Sequence, residues 1–314
     1  MASSMIERQA EKSSSHLRAP SPDPISFNID FNSVKALRYL SSGSMCNVYA
    51  GVYQGDQVVL KVPKKEKFDL ASQDLDNELQ LLQLFNHPNI CKLYGAGVTP
   101  EGFPFICIEQ LNSPTLAGFL GTDSSTEGGA EVLGRWLKRT FYMSLQDGLK
   151  HAISLASALN YMHCEVIPGA VIMHRDFKSS NMAFDASGNI KLYDFGLSKI
   201  LKERDRKGCS ERYKLTGNTG SLRYMAPEVA LNLPYDEKAD VYSYGILLWE
   251  LASLKRPFDL YTVKDFKQRV AIKGERPPLD PEWPVELRNL LSRCWGRNIG
   301  ERPSMGDVIS ELYE

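Results

Sequence analysis

The densest chemical signal in the chain is the run His174-Arg175-Asp176-Phe177-Lys178-Ser179-Ser180-Asn181, which puts a carboxylate, an ammonium group and a carboxamide within one short segment. With residue frequencies near one in twenty, five specified positions of the form H-R-D-x-K-x-x-N arise by chance on the order of 10⁻⁴ over a chain of this length. A β-prone stub (VIM) precedes the run, and AFD and the short strand NIKLYDFG follow it, so it is expected on a loop between strands. A second carboxylate, in Asp194-Phe195-Gly196, comes thirteen residues after Asn181. A carboxylate is a suitable hard-oxygen ligand for Mg²⁺, and a glycine just after it frees the backbone. Lys61 ends the strand VVLK, and Glu78 lies seventeen positions on, expected on the exposed flank of the following periodic helix, one residue before Leu79 of its apolar stripe.

Taken together these motifs make the chain resemble a eukaryotic protein kinase over about residues 34–314. The resemblance implies that Asp176 accepts the substrate hydroxyl proton and that Lys178 steadies the transferring phosphoryl group. It further implies that Asn181 and Asp194 hold Mg²⁺, and that a Lys61–Glu78 pair positions the ATP phosphates. Glu109 and Leu111 fall at the expected hinge, behind Ile108 at the gatekeeper position, and Val59 lines the adenine pocket where the family has Ala. The phosphate-covering loop departs from the pattern G-x-G-x-x-G-x-V. Only Gly43 and Val48 match it in Ser41-Ser42-Gly43-Ser44-Met45-Cys46-Asn47-Val48. Ser and Cys restrict the backbone freedom that glycine supplies to a phosphate cradle. Glu228 of Ala226-Pro227-Glu228 is expected to pair with Arg302, Asp240 to brace the catalytic loop, and His174 to be a packed support.

These side chains need a scaffold, and the periodicities describe one. Strand-like stretches (VKALRYL, NVYAGVY, QVVLKV) lead into a helix with Leu75, Leu79, Leu82 and Phe85 on one face, then into CKLYGAGV and FPFICIEQL. Beyond Glu109-Gln110-Leu111 the chain is mostly helical. Leu149, Ala152, Leu155, Ala156, Leu159 and Met162 mark one helix, and Val241, Gly245, Leu248 and Leu251 another. The expectation is an α+β, bilobal protein-kinase fold with a five-stranded sheet and one helix in the N-lobe and a mainly helical C-lobe. Its boundaries are a disordered tail over 1–28, an N-lobe over about 29–109 and a C-lobe over about 110–314. A flexible insertion over about 121–148 and a long polar loop from Lys199 to Thr219 complete the layout. On the resemblance the fold closes at Glu314, with no appended domain expected.

Composition narrows the class. A net charge of −1 over 314 residues argues against bulk nucleic-acid binding, which requires a basic face. The six cysteines show neither zinc spacing nor a disulfide pattern. No secretory core and no run near the ~20 apolar residues of a membrane helix is present, so a soluble cytoplasmic protein without membrane insertion is expected.

Lys178 after Asp176, with Gly220-Ser221 before RYMAPE, resembles Ser/Thr kinases, most closely the tyrosine-kinase-like group that includes Raf-like and mixed-lineage kinases. The resemblance implies protein substrates and an upstream activating kinase. Arg175 would read a phosphate on the loop from Asp194 to Glu228, at Ser210, Tyr213, Thr216 or Thr219, with Thr216 or Thr219 preferred. The alternative is a pseudokinase scaffold. The altered glycine loop favours it, and the joint presence of Lys61, Glu78, Asp176, Asn181 and Asp194 counts against it.

Overall fold

The computed structural model describes residues 26–112, 114–122, 143–202 and 212–314. Its N-terminal lobe is a six-stranded sheet in the order β1-β5-β6-β4-β3-β2. The strands are β1 (Ser26–Asp30), β2 (Lys35–Ser42), β3 (Cys46–Tyr53), β4 (Asp56–Pro63), β5 (Leu93–Val98) and β6 (Pro104–Glu109). Alternation places Val58, Leu60 and Val62 of β4 inward against Tyr53, Phe105 and Cys107, forming a small sheet core. Full burial of each such side chain contributes about 1.5–3 kcal/mol.

The sixth strand corrects the expected five-stranded sheet and the expected end of the tail at residue 28. β1 pairs in parallel with β5, matching Ile29 to Gly97 and Asp30 to Val98. Gly97 makes the approach feasible, since an added Cβ would sit 2.3 Å from the Ile29 carbonyl oxygen. A five-residue strand without clean alternation leaves little trace in the sequence, because its pairing depends on that distant glycine.

Helix α1 (Phe68–Leu82) packs against this sheet and buries Ala71, Leu75, Glu78, Leu81 and Leu82. Phe85, placed on its face by periodicity, lies past the helix end and packs on Phe195 in a tilted arrangement with ring centroids 5.0 Å apart. In the C-terminal lobe, α2 (Leu116–Leu120) precedes α3 (Leu145–Cys164), capped by Ser144, whose hydroxyl accepts from the Asp147 amide. Residues 145–148 therefore belong to α3 rather than to the insertion, and 123–142 lie outside the described residues.

β7 (Ala170–Met173), β8 (Met182–Phe184) and β9 (Ile190–Leu192) frame the central loop. β10 (Lys199–Lys202) pairs antiparallel with β7, so the stretch from Lys199 opens as a strand rather than as loop. Tail residues 1–25 and residues 203–211, with Ser210, lie outside the described residues.

After α4 (Pro227–Ala230), helix α5 (Lys238–Ser253) is buried from Ala239 to Leu251 and is the post of the lobe. A helix apolar on every side belongs in a core. α6 (Val285–Cys294) and α7 (Met305–Tyr313), the latter closed by a Ser304–Asp307 capping box, pack against the outside.

Candidate active site

The loop between β7 and β8 is hung from helix α5. In that helix's first turn the buried Asp240 carboxylate accepts the backbone amides of His174 (2.8 Å) and Arg175 (2.9 Å) and lies 3.1 Å from His163 Nε2. Burial works against its charge, but the His163 hydrogen bond and the backbone amides of His174 and Arg175 hold the carboxyl below its usual range. Arg175 takes the left-handed conformation at φ 67°, a backbone state a non-glycine residue keeps only when its surroundings impose it. His174 is fully buried between Phe177 and Phe195 and accepts the Asp176 amide at Nδ1.

Asp176 is thereby aimed at the cleft. Its Oδ2 accepts from Lys178 Nζ at 2.7 Å and from Asn181 Nδ2 at 3.1 Å, and its Oδ1 accepts the Ser221 amide at 2.8 Å. Lys178 Nζ also donates to Ser221 Oγ at 2.6 Å. Asn181 gives a further donation to the Asp176 carbonyl, so its amide oxygen remains as the acceptor end.

The second constellation joins both lobes. Lys61 Nζ on β4 lies 2.5 Å from Glu78 Oε2 and 3.5 Å from Asp194 Oδ1. Glu78 is 2% exposed, so it is not on an exposed flank of the helix. Burial opposes the Lys61 charge, but the two carboxylates outweigh it and hold the ammonium above its usual range. Burial lifts the Glu78 carboxyl and Lys61 pulls it back, and at 2.5 Å the pair is assigned as ammonium and carboxylate. Lys61 holds the Asp194 carboxyl below its usual range. Asp194 sits at φ 69°, and Phe195 beside it is fully buried.

The hairpin of β2 and β3 covers this cleft, with Ser41 opposite Val48, and Val48 opposite Lys61 on β4. Val59 lies between Ala50 and Ile108. Gly43 donates its amide to Cys46 O at 2.9 Å, Lys64 donates its amide to Met45 O, and Lys67 Nζ holds Ser44 O. No residue from Ser41 to Cys46 has positive φ. The glycine freedom that Ser41 and Cys46 forgo is thus not used in this loop conformation.

At the hinge, the Glu109 carboxylate is committed to Lys191 Nζ (3.2 Å) and the Lys92 amide (3.1 Å), and its own amide donates to Lys92 O at 2.8 Å. Leu111 follows as a half-buried residue packed on the main core.

Sequence reasoning missed Asn77 and Tyr235, and named Gly220 and Ser221 only as a family mark without their contacts. Ser221 holds both Asp176 and Lys178. Gly220, at φ 93°, lies so close that an added Cβ would meet Arg175 O at 2.3 Å. Asn77 of α1 donates to carbonyls just after Asp194. Tyr235 accepts from Arg175 Nε at 3.1 Å and donates to Thr216 O. These contacts are long-range, and no local motif marks Asn77 or Tyr235.

The Arg175 guanidinium also donates to the hydroxyls of Thr216 and Thr219. Tyr213 is buried and bonds Lys202 O. A cavity of about 460 Å³ opens beside Lys178 and Ser221 and is walled by Tyr224, Phe258 and Phe266 among others. The expected Glu228–Arg302 pair is bidentate, at 2.6 and 3.0 Å, and buried.

Among the described residues no three His, Cys, Asp or Glu side chains cluster as a metal cage. Asn181 and Asp194 offer one carboxamide and one carboxylate oxygen, a sparse hard-donor set that suits Mg²⁺ carried on phosphate oxygens. No helix among the described residues is long and apolar enough to cross a membrane.

The sequence matches the family described as protein tyrosine and serine/threonine kinase over residues 34–312, and the chain belongs to that family. Among its relatives are a probable serine/threonine-protein kinase of Dictyostelium discoideum, 32% identical over 91% of this chain and 28% of that protein. The serine/threonine-protein kinase STY46 of Arabidopsis thaliana is 29% identical over 95% of this chain and 47% of its own length. The serine/threonine/tyrosine-protein kinase HT1 of the same plant is 31% identical over 87% and 64%. The chain thus spans less than two thirds of the length of each of these relatives.

Proposed function

We propose that the chain is an ATP- and Mg²⁺-dependent protein kinase that phosphorylates Ser or Thr of protein substrates. The observation that carries this reading is the convergence of Asp176, Lys178 and Asn181 with the Lys61–Glu78–Asp194 constellation across one cleft. In this reading, ATP with Mg²⁺ supplies the phosphoryl group and neutralises part of its charge.

The chain's own residues supply positioning and electrostatics. Asp176 orients the substrate hydroxyl and takes its proton, with Oδ1 steadied by the Ser221 amide. Lys178, beside Asp176, meets negative charge that develops on the transferred group. Lys61, kept charged by Glu78, binds phosphate oxygens, and Asn181 and Asp194 furnish the metal ligands. Ser41, Gly43, Val48, Val59, Glu109 and Leu111 enclose the nucleotide, Glu109 through its backbone.

Phosphorylation of Thr216 or Thr219 is the proposed switch, through an upstream kinase or the protein itself. Both hydroxyls already lie on Arg175, and a phosphate there would add about −1.5 to −2 charge to the same guanidinium. A cytoplasmic location fits the free thiols of Cys46, Cys91, Cys107, Cys164 and Cys294.

Phosphoamino-acid analysis of substrate incubated with labelled ATP, with mass-spectrometric mapping of the chain, tests the specificity and the switch. Phosphoserine or phosphothreonine, with Thr216 or Thr219 modified in the active form, is expected. Phosphotyrosine alone would overturn the specificity, and full activity with both threonines unmodified would overturn the switch.

A further inference from the structure

Helix α1 carries two consecutive polar residues that reach different parts of the site. Glu78 grips Lys61 of the sheet. Asn77, half-buried beside it, directs its amide nitrogen at three carbonyls of the segment after Asp194: Phe195 O at 3.2 Å, Gly196 O at 2.9 Å and Ser198 O at 3.0 Å. Two N–H groups thus serve three acceptors, one of them shared. The same segment lies close under the helix, since an added Cβ on Gly196 would meet Asp74 Cβ at 3.5 Å. It also begins with Asp194 in the left-handed region at φ 69°, a conformation that Asp tolerates better than most residues but that contacts from outside the segment help to keep.

We infer that Asn77 is a positioning residue that couples helix α1 to Asp194, so that the Lys61–Glu78 pair and the Asp194 carboxylate are set together. A swing of α1 that breaks Glu78 from Lys61 also withdraws the donor from three carbonyls. Conversely, loss of the carboxamide leaves Glu78 on Lys61 and on the Phe195 main chain while the carbonyls of Phe195, Gly196 and Ser198 lose their side-chain donor. The inference rests on the kinase reading for its effect on turnover, but the coupling itself is a property of the nucleotide-free protein.

The reporter is the Ser198 amide, which bonds Phe195 O at 3.0 Å within the held segment. Hydrogen exchange of the nucleotide-free chain is compared for the parent, Asn77→Ala and Asn77→Asp. The expectation is exchange over residues 194–198 about tenfold faster in Asn77→Ala, with exchange in α1 within about twofold. Asn77→Asp keeps the shape but aims a carboxylate at three carbonyl oxygens, so it should lose at least as much as Ala. A role in packing alone predicts the opposite order, with Asp close to the parent. In turnover assays kcat should fall about tenfold while the KM for a peptide substrate stays within about twofold. Exchange over 194–198 unchanged in the folded variants, or Asp behaving like the parent, overturns the coupling. Because exchange needs no turnover, a parent that fails to phosphorylate leaves this result decisive on its own. Where Ala does not fold, the isosteric Asp variant carries the test.

Discussion

Gly220→Ala should damage catalysis far more than stability, and a matched substitution isolates the reason. Gly220 has φ 93°, and an added Cβ would lie 2.3 Å from Arg175 O and 3.3 Å from Asp176 Oδ1. Gly188, in the turn between β8 and β9, has φ 84° with nothing within 4 Å of its added Cβ. Both alanines face the left-handed penalty of about 1–2 kcal/mol, offset by about 0.4–1 kcal/mol from the stiffer unfolded chain. Gly188→Ala should therefore cost between about 0 and 1.6 kcal/mol and leave kcat within about twofold. At Gly220 the neighbour is backbone and cannot swing aside, so the Arg175–Asp176 peptide or the Ser221 segment must shift by roughly 1 Å. A displacement of that size at a reacting group can cost about 100-fold in rate. The assay is kcat on a peptide substrate beside thermal unfolding of both variants. Equal kcat in the two variants would refute the reasoning that Gly220 exists to let the loop approach Asp176.

Two further predictions concern the frame of the site. Arg302→Ala strands the buried Glu228 carboxylate, and breaking a buried pair costs about 3–5 kcal/mol; a melting temperature lower by roughly 6–20 °C in calorimetry is expected, and a drop under about 2 °C would contradict it. Burial holds the His174 imidazole below its usual range, so it stays neutral in the fold and protonates more readily in the unfolded chain. Its contribution is complete above the unfolded pKa of about 6.5 and is lost as pH falls below it, at up to about 1.4 kcal/mol per pH unit. Unfolding in denaturant between pH 7.5 and 5.5 should show this slope, and His174→Phe should flatten part of it; an identical slope in that variant would sink the assignment.

The candidate site is legible in the sequence because its central loop is local: Lys178 and Asn181 both bond the Asp176 carboxylate from within a few residues of it. Lys61 and Glu78 are legible because one lies near the end of strand β4 and the other follows it on a periodic helix. Asp240 and the Glu228–Arg302 pair were placed by resemblance, and the geometry agrees. What stayed hidden depends on distant partners. Strand β1 needs Gly97 of β5 to accept its backbone. Asn77 meets carbonyls more than a hundred residues away, and β10 is a strand only because β7 pairs with it. The covering loop keeps only Gly43 and Val48 of the pattern, and tethers from Lys64 and Lys67 hold it in a conformation without left-handed backbone.

The central claim is that Asp176 drives phosphoryl transfer in a cleft that binds nucleotide independently of it. Transfer of label from γ-labelled ATP to a protein substrate should be measured for the parent, phosphorylated on the Thr216–Thr219 segment, and for Asp176→Asn treated alike, with nucleotide affinity measured alongside. The account predicts a fall of about 100-fold or more in transfer, within the range general-base removal produces, and nucleotide affinity within about threefold. Transfer by Asp176→Asn at the parental rate, or no transfer by the phosphorylated parent, would contradict it.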